Sequence, residues 1–151
     1  MNAVGQNGFA AIRNDVVALI DRQRADWSLE QAFYRNPDIF ALERELWFPR
    51  QWVIVAHLSE VPEKGRYIVR QLFDEEIIVV RHGDGEADIS AYYNVCTHRG
   101  SRLCTKDGRG RLLVCPYHAW SFCLTGELQT QRDLPEDADP AKRAAVRLTS
   151  V

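Results

Sequence analysis

The 151-residue sequence lacks any long apolar run, and stretches such as residues 77–80 are far too short to cross a bilayer. It also lacks an excess of either charge. Nineteen Lys and Arg stand against 21 Asp and Glu, a formal charge of -2, so there is no cationic surface for nucleic acid or anionic lipid. The N-terminal region carries scattered acidic and amide groups and no basic start followed by an apolar core, which excludes a secretory signal. Together these absences predict a soluble cytoplasmic protein with reduced thiols and neither a nucleic-acid nor a membrane partner. Long repeats and low-complexity tracts are missing as well. The remaining composition, 46% hydrophobic and 26% charged, is ordinary for a globular chain, and the length suits one domain with an appendage.

Apolar residues at Phe9, Ile12, Val16, Leu19 and Ile20 recur at helical spacing, so residues 9–24 are expected to form an amphipathic packing helix. A second helix is signalled by Asn36 as its cap and Pro37 at its first position. Ile39, Phe40, Glu43, Leu46 and Trp47 follow on one face, and Pro49 stops it. From Gln51 the pattern changes to short β-branched and aromatic runs at 52–56, 67–73, 77–82, 89–95 and 111–114. Turn residues separate them, among them Pro62 with Gly65 and Gly83-Asp84-Gly85. Strands this short and this regularly punctuated predict a mainly β fold, an antiparallel sandwich or barrel over 51–151, behind a helical arm over 1–50. Residues 133–140 read as an acidic, solvated loop and 144–151 as the opening of one more strand.

Four cysteines in a reducing compartment point to metal binding rather than to a disulfide framework, and two of them lie beside histidines. The two loops read Cys96-Thr97-His98-Arg99-Gly100 and Cys115-Pro116-Tyr117-His118-Ala119-Trp120, with sixteen residues between His98 and Cys115. Each supplies one thiolate and one imidazole. Thiolate suits iron-sulfur clusters, imidazole suits iron, and a set divided equally between two loops can clamp a two-iron unit from both sides. In a Rieske [2Fe-2S] centre two histidines replace two cysteines on one iron, which would place Cys96 and Cys115 on one iron and His98 and His118 on the other. A structural zinc site accepts the same donors. Zinc sites more often pair cysteine with cysteine two to four residues apart, whereas here Cys and His alternate and the first pair has one intervening residue. The blandest reading, four ordinary core residues, needs two tight Cys/His pairs to coincide in a chain with only four of each. Gly100 and Pro116 suit tight backbone around a buried cofactor.

These motifs resemble the Rieske domain of ring-hydroxylating oxygenase large (alpha) subunits. The likeness extends to Arg44, Glu45, Phe48-Pro49, Trp52, the turn from Val61 to Gly65, Tyr92-Tyr93-Asn94-Val95 and residues 124–128, so it runs from about residue 33 onward. It implies an antiparallel β-sandwich with a two-loop subdomain holding a [2Fe-2S] cluster, an aromatic substrate, and a reductase or ferredoxin as electron donor. It further implies an oxygenase catalytic domain whose mononuclear Fe(II) accepts the electrons, and often a homotrimer. That catalytic domain is absent from residues 1–151, so the sequence is expected to be the Rieske part of an oxygenase, with no catalytic residue of its own. Of the histidines left over, His57 and His82 fall in expected strands with no acidic partner at helical spacing, so no second iron site is assembled. A free-standing Rieske ferredoxin is the alternative, although such carriers usually lack a long helical arm; a zinc-stabilised interaction module is the other.

Cys104 and Cys123 are expected to be apolar bystanders. Rieske proteins of cytochrome bc complexes tie their ligand loops with a disulfide, and the matching positions here are Ser101 and Tyr117. Arg99, Tyr117 and Trp120 flank the ligands and are expected to cover the cluster or form part of a docking face. Trp120 and Phe122 stand where those high-potential proteins carry a serine and a tyrosine that donate to cluster sulfurs. The resemblance therefore implies a potential near the lower end of the Rieske range, roughly -150 mV.

Overall fold

In the computed structural model, residues 6–132 and 139–151 are described, so the stretch read as a solvated loop over 133–140 falls almost wholly outside them. The chain divides into two compact units, Met1–Val53 and Ile54–Val151.

The first unit is helical: α1 (Gln6–Asp21), α2 (Gln31–Arg35) and α3 (Pro37–Leu46), then a single 3-10 turn, Phe48–Arg50. The Asn36 side chain accepts the Asp38 N–H at 2.8 Å, and Pro37 occupies the first helical position, where its missing N–H costs nothing. Arg22 grips the Glu30 carboxylate through two nitrogens and so ties the end of α1 to the start of α2. No helix among the described residues is long and apolar enough to cross a membrane.

The second unit is built from two antiparallel sheets. Strands β1 (Arg66–Leu72), β2 (Glu75–Arg81), β3 (Ile89–Tyr93) and β4 (Gly108–Arg109) form one, in the order β3-β2-β1-β4. Strands β5 (Leu112–Val114), β6 (Ser121–Cys123) and β7 (Leu128–Thr130) form the other, in chain order, and a short helix α4 (Pro140–Ala145) follows. The β1–β2 hairpin pairs Leu72 with Glu75, leaving a turn of only Phe73 and Asp74. Phe73 takes φ +54 there, and the Gln71 amide bonds the carbonyls of Phe73 and Glu75 to hold it. Strand β2 is covered on both faces, because its side chains alternate between two cores. Ile77 and Val79 join Val61 and Ile68, while Ile78 and Val80 face Leu113 and Phe122 of the second sheet. Cys96, Cys115 and Trp120 belong to that inter-sheet core, so the candidate metal centre is continuous with the packing that joins the sheets.

Two expected strands are corrected. Residues 52–56 form no strand: Trp52 and Ile54 are 104% and 96% exposed, and only Val55 and Ala56 pack on the core beside Ile68. Their β-branched run has propensity but no strand to pair with, and pairing is what stabilises a strand. Residues 144–151 begin in α4 and then make two isolated bridges, Arg147 to Glu127 and Ser150 to Tyr92, rather than a strand.

Candidate metal centre

The two Cys/His loops are the same turn built twice. In the first, the Gly100 N–H donates to the Cys96 carbonyl at 2.9 Å and the Cys96 N–H to the Ser101 carbonyl at 2.7 Å. In the second, Ala119 donates to Cys115 at 3.0 Å and Cys115 to Trp120 at 2.8 Å. The fifth residue of each is left-handed, Gly100 at φ +71 and Ala119 at φ +57. Glycine enters that region freely, and alanine pays a steric cost there. Equal turns with unequal spacing resolve the odd motif pair: histidine is third in the first loop and fourth in the second, so each imidazole leaves its turn at a different point. The His98 and His118 rings nevertheless meet, with centroids 4.8 Å apart and planes at 64°.

Both candidate thiolates are buried, and backbone donors face them. Burial pushes the Cys96 thiol up, while the amides of His98 and Arg99 pull the other way. Burial also acts to raise Cys115, but the amides of Tyr117 and His118, the neighbouring Cys96 thiol and the hydroxyl of Ser101 together hold that thiol below its ordinary value. The other acceptor near Ser101, the Arg102 carbonyl, lies 3.4 Å from the hydroxyl, a long and weak contact. Ser101, at one of the two positions where bc-type proteins have a disulfide, thus lies close enough to the Cys115 thiol of the other loop to lower its pKa.

Aromatic rings cover the imidazoles unequally. Trp120, 8% exposed, lies flat on His98 with centroids 4.3 Å apart and planes within 3°. Tyr117, 62% exposed, tilts over His118 at 3.8 Å. A clamp buttresses the first loop from behind. Fully buried Asn94 accepts the N–H groups of Leu103 at 3.1 Å and Cys104 at 2.8 Å, and donates to the Cys104 carbonyl at 2.6 Å and to the Glu76 carboxylate. Arg102 holds the same carboxylate through two nitrogens.

The remaining candidates lie elsewhere. His57 is not in a strand. It caps the 3-10 turn Leu58–Glu60, with its ring 2.9 Å from the Ser59 hydroxyl and its N–H donating to the Glu60 carboxylate. His82 follows β2, and its N–H donates to the Asp88 carbonyl. Burial pushes the Cys104 thiol up to about 11, so it is inert at neutral pH, and half-buried Cys123 donates to Gln129 at 3.2 Å. All four cysteines are free of disulfides. Sequence reasoning missed the roles of Ser101, Asn94 and Ala119. Only the nearness of the first two to Cys96 hinted at them, and nothing in the alanine marks its conformation.

The donor set fits a two-iron cluster better than a single ion. Structural zinc gathers its ligands on one ion and more often pairs cysteine with cysteine at short spacing, unlike the alternating Cys/His loops here. A Rieske cluster asks only two protein ligands of each iron. The Nδ1 atom of His118 is buried without a hydrogen-bond partner, a costly arrangement for an imidazole that a bound metal would relieve.

Comparison with known proteins agrees with this geometry. Residues 51–143 match the Rieske [2Fe-2S] domain, and the chain belongs to that family. It is 44% identical to the glycine betaine monooxygenase oxygenase subunit of Chromohalobacter salexigens, over 87% of this chain and 29% of that protein. It is 37% identical to the carnitine monooxygenase oxygenase subunit of Escherichia coli K12, over 81% of this chain and 33% of the relative. Among solved structures, naphthalene 1,2-dioxygenase from Rhodococcus sp. superposes with a TM-score of 0.73 at 30% identity, covering 93% of this chain and 32% of that one. The chain thus spans about a third of the length of these oxygenases.

Proposed function

We propose that Cys96 and Cys115 hold one iron and His98 and His118 the other, and that residues 51–151 relay single electrons as the Rieske portion of an oxygenase. The bound [2Fe-2S] cluster supplies a site that takes up and releases one electron at a time. The chain's own residues anchor it, turn backbone amides toward its sulfurs, and exclude water on the Trp120 side. Exposed Tyr117 over His118 offers the side from which electrons enter or leave. The donor in this reading is a reductase or ferredoxin, and the acceptor is a mononuclear iron in an oxygenase catalytic domain outside residues 1–151.

The observation that carries the proposal is the pair of equivalent turns, each presenting one buried cysteine and one histidine, with the two imidazole rings 4.8 Å apart and His118 Nδ1 left unpartnered. Oxidation of a quaternary ammonium substrate is favoured over the aromatic ring hydroxylation implied by the sequence motifs. Identity is 44% and 37% to the two quaternary ammonium oxygenase subunits and 30% to the naphthalene dioxygenase. The test is iron, zinc and acid-labile sulfide analysis of the purified chain, with single-alanine variants of the four ligands. Loss of iron and sulfide in each variant supports the assignment, and full retention in any one removes that residue from the set.

A further inference from the structure

We propose that Gln131 positions Trp120: its side-chain carbonyl accepts the indole N–H through one buried water, and this link holds the indole in place on His98. Two unpartnered atoms carry the proposal, one a donor and one an acceptor. Trp120 Nε1 and Gln131 Oε1 are both buried, and neither makes a direct hydrogen bond among the described residues. Ser121 pairs with Thr130 in the β6–β7 ladder, and Trp120 and Gln131 flank that pair, so the two residues stand opposite each other. Opposite side chains of an antiparallel pair share one face of the sheet. A buried polar atom in a native protein has a partner with few exceptions, and a donor and an acceptor left over at facing positions satisfy each other. Where they make no direct bond, a water between them completes both. Stacking on His98, with centroids 4.3 Å apart and planes within 3°, sets the tilt of the indole but lets it slide in its own plane, and a directional bond at Nε1 stops that. The single indole N–H so committed is not offered to a cluster sulfur, which agrees with the low potential that the sequence motifs imply. The consequence for electron transfer rests on cluster binding as proposed above: a held indole keeps water from the His98 side, and solvent exposure is one of the levers on potential.

Ultraviolet resonance Raman of the loaded chain reads the bond, through the indole band that moves when the N–H is hydrogen-bonded; subtracting the Trp120→Phe spectrum isolates Trp120 from the other three tryptophans. The expected result is a bonded band in the wild type and a shift to the free-indole position in Gln131→Met, which keeps the length of the side chain but offers no strong acceptor. Gln131→Glu restores an acceptor and should restore the band. Deuterium coupling to the reduced cluster in D2O, read by pulsed EPR, should grow in Gln131→Met, and its midpoint potential should rise, because admitted water favours the more negative reduced state. A free-indole band in the wild type, or a band unmoved in Gln131→Met, overturns the link. Unchanged deuterium coupling and midpoint in a loaded Gln131→Met that has lost the bonded band overturn the positioning role alone. If Trp120→Phe does not fold, the difference between wild type and Gln131→Met isolates the same band. If neither variant folds, the crystal structure of the loaded wild type decides: a water shared by Nε1 and Oε1 supports the link, and its absence overturns it. Iron and sulfide are assayed on the same samples, and their absence from the wild type overturns cluster binding and the positioning role, while the Raman band still decides the link.

Discussion

Asn94→Ala should destabilise the β unit severely while leaving the four candidate ligands in place. Asn94 is 2% exposed, and its amide makes four bonds: two N–H groups accepted, one carbonyl and one carboxylate donated to. Truncation strands the Leu103 and Cys104 amides and the Cys104 carbonyl in buried surroundings, each worth about 1 kcal/mol net and more if water cannot replace the side chain. Glu76 keeps its grip on Arg102, so the charged bond contributes at the low end of its range, about 1.5 kcal/mol. The sum is roughly 4 to 5 kcal/mol, a large share of the roughly 5 to 15 kcal/mol that holds a domain folded. Asn94→Asp should rescue little, because a carboxylate accepts the two N–H groups but faces Glu76 and the Cys104 carbonyl with no donor. Urea denaturation followed by the visible absorbance of the cluster reads the β unit by itself. A loss below about 1 kcal/mol for the alanine variant would refute the clamp, since one net hydrogen bond is already worth that much.

Three further outcomes are expected. Nothing lies within 4 Å of a Cβ built on Gly100, so Gly100→Ala should cost only the left-handed conformation, about 1 kcal/mol by thermal unfolding, and Ala119→Gly should be neutral or stabilising by up to about 1 kcal/mol. The Arg102 guanidinium, aided by Asn94 and opposed by burial, holds the Glu76 carboxyl below its ordinary value. The folded carboxyl stays charged to lower pH than the unfolded one, so this stability is complete above about pH 4.3 and lost as pH falls through the folded value. Acid titrations should therefore show a shallower loss of stability in Glu76→Gln than in the wild type. Phe122→Tyr, which the sequence comparison suggests as a way to raise the potential, should instead destabilise by about 1 to 3 kcal/mol in chemical denaturation, because Phe122 is fully buried and a hydroxyl there finds no ready partner.

The parts of the fold legible in the sequence were those with strong local signals. The Asn36-Pro37 start of α3 was readable from capping chemistry, and the three long strands β1 to β3 from their apolar content. The second sheet was only partly legible: the run at 111–114 anticipated β5, but β6 and β7 have three residues each, too few for an alternation to register, and two-residue β4 at the edge of the first sheet is too short as well. Residues 52–56 misled for the opposite reason, since β-branched residues signal a strand only when a neighbour completes the ladder. At the site, the four candidate ligands could be read because metal chemistry demands particular residue types at particular spacings. Their supports could not, because an asparagine that clamps a loop and one on the surface are spelled alike.

The measurement that bears most directly on the account is metal and sulfide stoichiometry of the anaerobically purified chain, joined to EPR after reduction. The account predicts two irons and two acid-labile sulfides per chain, with a half-integer-spin signal on one-electron reduction and nitrogen couplings from two imidazoles that vanish with His98→Ala and His118→Ala. One zinc per chain, with no sulfide and no signal on reduction, would contradict it.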